Sequence, residues 1–334
     1  MASRSKQKAT EERLHEIRRA AAESSALAGR SNHAQIQGHD SYYGLPALKP
    51  PVWTWEVPLY FFIGGIAGVS SCIAFIANIF HVDPALVRLS LWIALGGSAI
   101  CPILLISDLG RPSRFLNMLR VFKLRSPMSM GVWILVAFSG CAFSAMLGNE
   151  LVLRGYGSLM ASGLRWFGEA SAAVTGLLLA SYTGVLIGAT AIPVWFTHRR
   201  FLPAHFLTSG LGGSSAILEL SGFFIPATQL FGFVTAGIEI IFEVLFEVRK
   251  TSVDVPLHQS RSGIAFRIAG VLEGPTALAI RIVWGSAPLG RRAAAICFLV
   301  GALLSRYAWI WAGRESAKLP DVQFALQRDG GAKP

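Results

Sequence analysis

From Val57 onward, apolar runs recur along the chain, each of about the length needed to cross a ~30 Å hydrocarbon core at roughly 1.5 Å per residue. They lie at 57–80, 86–106, 130–147, 170–196, 203–222, 228–247, 264–284 and 293–312. Lipid cannot hydrogen-bond a bare backbone, so only helices or closed barrels span it. These runs are too long for the roughly ten-residue alternating strands of a barrel. The pattern predicts an all-α polytopic membrane protein, a bundle of about eight transmembrane helices. The weakest run is 264–284, which carries Arg267, Glu273, Gly274-Pro275 and Arg281.

Composition agrees: 53% of the 334 residues are hydrophobic and only 15% are charged, with a mean hydropathy of +0.51. A soluble globular chain is not that apolar. The formal net charge of +11 then suits loops held against an anionic cytoplasmic membrane surface, not a nucleic-acid partner. Cys72, Cys101, Cys141 and Cys297 fall in or beside apolar runs without the close spacing of cluster or redox motifs. They read as small buried hydrophobes, so no metal site and no iron–sulfur cluster is expected in this chain.

Residues 1–52 form a polar basic tail without the apolar stretch of a signal peptide, flexible or ordered by a partner. A weakly amphipathic helix from Thr10 to Ala28 is conceivable there. The transmembrane domain occupies 53–312 and a second tail 313–334. An even number of spans puts both termini on one side. That side also holds Arg111, Arg114, Arg120, Lys123 and Arg125 in a single loop, whereas the other has only Arg88, Arg154, Arg165, Arg281, Arg291 and Arg292. The asymmetry predicts cytoplasmic termini.

The densest chemistry closes the second run and opens the third: Asp108-Leu109-Gly110-Arg111-Pro112-Ser113-Arg114-Phe115, then Ser126-Pro127-Met128-Ser129-Met130-Gly131-Val132-Trp133. A carboxylate beside two arginines, flanked by Gly and Pro, makes a charged corner at the membrane boundary. These strings resemble the signature of the polysulfide reductase membrane subunit, or NrfD, family. Tyr60 to Gly68 and Tyr182-Thr183-Gly184-Val185-Leu186 with Pro193-Val194-Trp195 add to the likeness, which covers roughly residues 53 to 312.

The resemblance implies a quinone-reactive subunit of an inner-membrane respiratory complex. Such a subunit exchanges electrons between menaquinone or ubiquinone and a ferredoxin-like iron–sulfur subunit, which serves a catalytic subunit that often contains molybdopterin. It also implies no haem in this chain. The histidines agree, since His81, His198, His205 and His258 lie at run ends or in loops, short of the membrane depth a bis-histidine haem needs. By the same resemblance the quinone pocket is lined at the start of the first helix and by a tyrosine of the fourth, here Tyr60, with Glu56 one turn earlier, and Tyr182. Tyr60 stands where a family histidine is often found.

The run ends put Glu56, Tyr60, Asp108, Arg111, Arg114 and His205 near one membrane level, with Tyr182 some three turns deeper. Tyr60 and Tyr182 suit donation to quinone carbonyls, and Glu56, Asp108 or His205 suit proton acceptance. Plainer readings exist: Trp53, Trp55, Tyr60 and Trp195 also suit an interfacial aromatic belt, and Asp108 a corner pin. Deeper still lie Glu219, Glu239, Glu243 and Glu273, costly in lipid and therefore expected to face the bundle interior. They suit a proton path, or neutralisation of an arginine such as Arg267 or Arg306. Two other functions fit the same sequence, a proton- or ion-translocating subunit and a structural anchor. No active site for a terminal substrate is expected in this chain.

Overall fold

In a computed structural model, residues 48–109, 115–120, 122–248 and 251–319 are described, together with Arg19 and Ser113. The expected tail helix, the arginine pair Arg111 and Arg114, and the end of the C-terminal tail lie outside the described residues. Among those described, the chain is helical throughout: α1 Glu56–Ile79, α2 Pro84–Asp108, α3 Phe115–Leu119, α4 Pro127–Leu153, α5 Leu159–Gly188 and α6 Pro193–Thr197 come first. They are followed by α7 Leu202–Leu220, α8 Pro226–Val248, α9 Val255–Gln259, α10 Arg261–Val271, α11 Ala277–Trp284 and α12 Pro288–Ser316. A π-helical turn, Leu272–Thr276, joins α10 to α11.

Six of these segments are long and apolar enough to cross a membrane: α1, α2, α4, α5, the continuous 261–284 segment and α12. The chain is a multi-pass membrane protein. The two other long helices, α7 and α8, are interrupted by Gly and Ser residues and by three glutamates, respectively. Both are packed into the bundle, where the Gly and Ser residues and Glu239 are buried while Glu243 is partly buried and Glu247 exposed at the end of α8, so each of the eight apolar runs has a helix, six of which are autonomous spans.

Helix starts follow local rules. Asp83, Ser126 and Ser158 each accept a backbone N–H from the first turn of α2, α4 and α5. Proline occupies the first turn of α2 and α4, where its missing N–H costs nothing. Two expected boundaries move. The span expected at 170–196 begins at Leu159 and stops at Gly188, because Pro193 holds Ile192 in an extended conformation and a new short helix starts there. The weak seventh run does form a helix, accommodating Gly274-Pro275 through the π-turn.

The helices form two groups of four. α1, α2, α4 and α5 pack together, α7, α8, α10–α11 and α12 pack together, and α1, α5, α7 and α12 join the groups. α1 lies at the centre. Gly68 meets Gly176 of α5 backbone to backbone, and Ser71 Oγ donates to the Ala172 carbonyl at 2.9 Å. On its other face Gly65 meets Gly210 of α7, and Ser214 Oγ donates to the Ile66 carbonyl at 2.9 Å. Small residues let the backbones approach this closely in lipid.

Candidate functional site

Where α1 begins and α2 and α5 end, three helices bring Tyr60, Asp108 and Tyr182 onto one pocket of about 110 Å³. Trp53, Gly131 and Met128 complete much of its wall, and Phe115 and Met118 of α3 close it from the loop side. Tyr60 is 2% exposed and Tyr182 7%, so neither belongs to an interfacial belt. Trp195 is also fully enclosed: it stacks on Trp53 at 5.2 Å and donates its indole N–H to the Trp309 carbonyl at 2.7 Å. Only Trp55, 60% exposed, keeps a belt-like position.

Tyr182 is not three turns deeper than the other groups. α5 ends at Gly188, only six residues on, and the Tyr182 hydroxyl donates to the Pro127 carbonyl at the start of α4. Gly131 is what admits the ring there, since a Cβ at that position would overlap the phenol. The S-P-M-S-x-G string is thus explained physically. Ser126 caps α4, Pro127 offers its carbonyl and Gly131 leaves the space.

Asp108 ends α2 with its carboxylate turned back to the segment before α1, accepting from Thr54 Oγ1 at 2.8 Å and from Thr54 N at 3.3 Å. It therefore both lines the pocket and pins that corner. Glu56 stands just outside the pocket wall, its carboxylate against the same Thr54 hydroxyl that Asp108 meets.

His205 belongs elsewhere. It lies in the first turn of α7, 4% exposed, with Nδ1 2.8 Å from Glu239 and Nε2 3.1 Å from Ser305 Oγ. The turn before α7 is covered by Phe246 and Trp309, which turns an apparent boundary position into an interior one. Glu273, held by Ser209 Oγ at 3.1 Å, joins the same cluster, and Arg306 acts electrostatically on both Glu239 and Glu273. Ring contacts Tyr60–Phe61–Phe206, with Arg306 3.8 Å over the Phe206 ring, link this cluster to the tyrosine pocket.

Glu219 is separate again. It takes paired contacts from Arg281, at 3.0 and 2.7 Å, and from Arg291, at 3.0 and 2.8 Å, all three residues being buried. The expected partners Arg267 and Arg306 do not serve it; Arg267 donates instead to the His258 carbonyl. Glu243 sits one turn from Glu239 with its carboxylate against Gly270. One interior carboxylate is not apparent from the hydropathy pattern. Glu169 of α5 is fully buried and accepts from Asn78 Nδ2 at 2.6 Å. The fourth apolar run begins at 170, one residue beyond it, so the pattern alone leaves Glu169 in a loop.

Outside the membrane helices, His198 Nε2 lies 2.7 Å from Asp254 Oδ1, both buried. Burial alone would raise the Asp254 carboxyl, but the hydrogen bonds from His198 and Thr251 outweigh it and hold the group below its usual range.

Two comparisons bear on this arrangement. The sequence profile of the NrfD, polysulphide reductase, family matches residues 45–248. The chain is also 26% identical over 187 residues to Protein NrfD of Escherichia coli (strain K12), covering 50% of this chain and 58% of that relative. The chain thus matches rather more than half the length of that curated relative.

Proposed function

Because the chain belongs to the polysulphide reductase NrfD family, we propose that it is the quinone-reactive membrane subunit of an oxidoreductase complex. In this reading it exchanges electrons between menaquinone or ubiquinone and a ferredoxin-like iron–sulfur subunit, which serves a molybdopterin-containing catalytic subunit. The complex sits in the cell inner membrane, with both termini of this chain cytoplasmic.

The supporting observation is the convergence of Tyr60, Asp108 and Tyr182, from three different helices, on one pocket at a common end of the bundle. The pair of phenols and the carboxylate fits a ring that carries an oxygen at each end. Tyr182, already donating to Pro127, offers its oxygen as acceptor to a quinol hydroxyl, and Tyr60 offers a hydroxyl to the opposite oxygen. Asp108 is the nearby base for the protons released when quinol is oxidised. Bound quinone supplies the two-electron chemistry; the protein's residues orient it and carry the protons.

At about 110 Å³ the pocket is smaller than the roughly 300–1,000 Å³ of ordinary ligand sites. Ring entry therefore displaces α3, a five-residue helix that buries none of its side chains. The test is quinol oxidation by the purified complex. Tyr60→Phe and Tyr182→Phe are each expected to lower turnover about tenfold or more while the complex still assembles, in line with the typical contribution of a positioned proton-transfer group. Wild-type turnover in both variants would dismiss the site.

A further inference from the structure

The second helix group contains a cluster that the tyrosine pocket does not use. His205, Glu239, Glu273 and Arg306 come from α7, α8, the π-turn and α12, and each is at most 4% exposed. The ligating atoms of His205, Glu239 and Glu273 lie within 4.8 Å of one another. Three polar atoms at its centre are buried without a hydrogen-bond partner: Oε1 of Glu239, and Nε and Nη1 of Arg306.

The charges in this cluster do not balance. His205 is satisfied as a neutral ring, with Nδ1–H donating to Glu239 and Nε2 accepting from the Ser305 hydroxyl. That leaves two carboxylates against one guanidinium, and the other titratable neighbour among the described residues is a third carboxylate, Glu243. An uncompensated buried charge is costly, and inside a bilayer more so. A metal cation would compete with Arg306 for the same carboxylates, whereas a proton needs no room.

Access is one-sided. Glu239, Glu243 and Glu247 follow one another at four-residue intervals along one face of α8, from the interior to its exposed end. There Glu247 lies 3.5 Å from Nδ1 of His258. A void of about 20 Å³ lies between Glu239, Glu243, Glu273, Ser305 and Gly270, enough for a single water. In the opposite direction, the far end of α7, some 21 Å from His205 at about 1.5 Å per residue, is closed by Glu219 locked between Arg281 and Arg291.

We propose that the His205–Glu239–Glu273–Arg306 cluster is an intramembrane proton-binding site that holds one exchangeable proton on its carboxylate pair and fills only from the α8 C-terminal face, through Glu243. In this reading Glu243 passes the proton, Glu239 and Glu273 hold it, and Glu219 is a plug and not a relay. A proton that enters is bound by one carboxylate oxygen, and the site's net charge rises from minus one to zero. This inference stands apart from the tyrosine pocket, and its test needs no quinone.

The measurement is infrared spectroscopy of the purified complex at neutral pH, following the protonated-carboxyl C=O band as H2O is replaced by D2O. One such band is expected from the cluster. Glu239→Gln or Glu273→Gln each abolishes it, because either removes the surplus charge. Arg306→Met doubles its intensity, because both carboxylates then need a proton. Glu243→Gln keeps the band but slows its deuterium shift at least tenfold. A band intensity equal to that of the wild type in both single glutamine variants overturns the site; intensity from the separate buried carboxyl Glu169 stays constant throughout. An exchange rate unchanged in Glu243→Gln overturns the access route. Glutamine keeps the volume and most hydrogen bonds of glutamate, and thermal unfolding of each variant checks that the fold is retained.

Discussion

Single side chains in this protein act through what they are paired with, and Asp254 shows it outside the membrane helices. Its carboxyl, held below the ordinary value of 3.8 by His198 and Thr251 despite burial, contributes stability that is fully present above that value. The contribution is lost as pH falls through the lowered folded-state value. Asp254→Asn is expected to cost about 1–3 kcal/mol near neutral pH, the usual penalty for weakening a buried hydrogen-bonded group. It should also flatten the melting temperature against pH below roughly pH 4. Melting curves from pH 7 to 3 check this, and parallel curves for the two proteins would count against it. Residue type alone could not reveal such pairs. His205 follows the polar Thr197-His198-Arg199-Arg200 stretch and precedes an apolar run, which reads as a boundary histidine. Its interior position depends on Phe246 and Trp309, more than forty and a hundred residues away. Tyr60, Asp108 and Tyr182 were legible because their neighbouring strings are so distinctive, and the structure brings those three together.

At the scale of helices, hydropathy located all eight runs but not what ends them. Pro193 and the Ser126 and Ser158 caps set the boundaries of α4 and α5, and the π-turn carries the chain past Pro275. The α11–α12 corner is held by charge. Arg281 and Arg291 flank it in sequence and meet again on Glu219 of α7, with Gly232 of α8 leaving room for the Arg281 guanidinium. Loop arginines in the sequence are thus interior struts. Glu219→Gln leaves two buried guanidiniums without their carboxylate, a change that typically costs about 3–5 kcal/mol. It is expected to lower sharply the yield of folded, monodisperse protein, whereas Glu243→Gln, only partly buried, is tolerated. Equal yields and melting temperatures for the two would contradict the strut.

Across the whole molecule, two four-helix groups meet along α1, α5, α7 and α12, with the tyrosine pocket in one group and the glutamate–histidine cluster in the other. Phe61, Phe206 and Arg306 span the seam between them. The fold class was readable because lipid leaves a backbone so few choices. The division of the polar groups into separate clusters was not, since it depends on which helices face one another. We propose that quinone chemistry belongs to the Tyr60 pocket. Photolabelling the purified complex with an azido-quinone and mapping the adducts by mass spectrometry tests it most directly. Adducts confined to the segments bearing Trp53 to Phe61, Leu105 to Met118, Met128 to Val132 or Tyr182 to Leu186 are the predicted result; adducts confined to α7–α12, or unchanged by competing quinol, would contradict it.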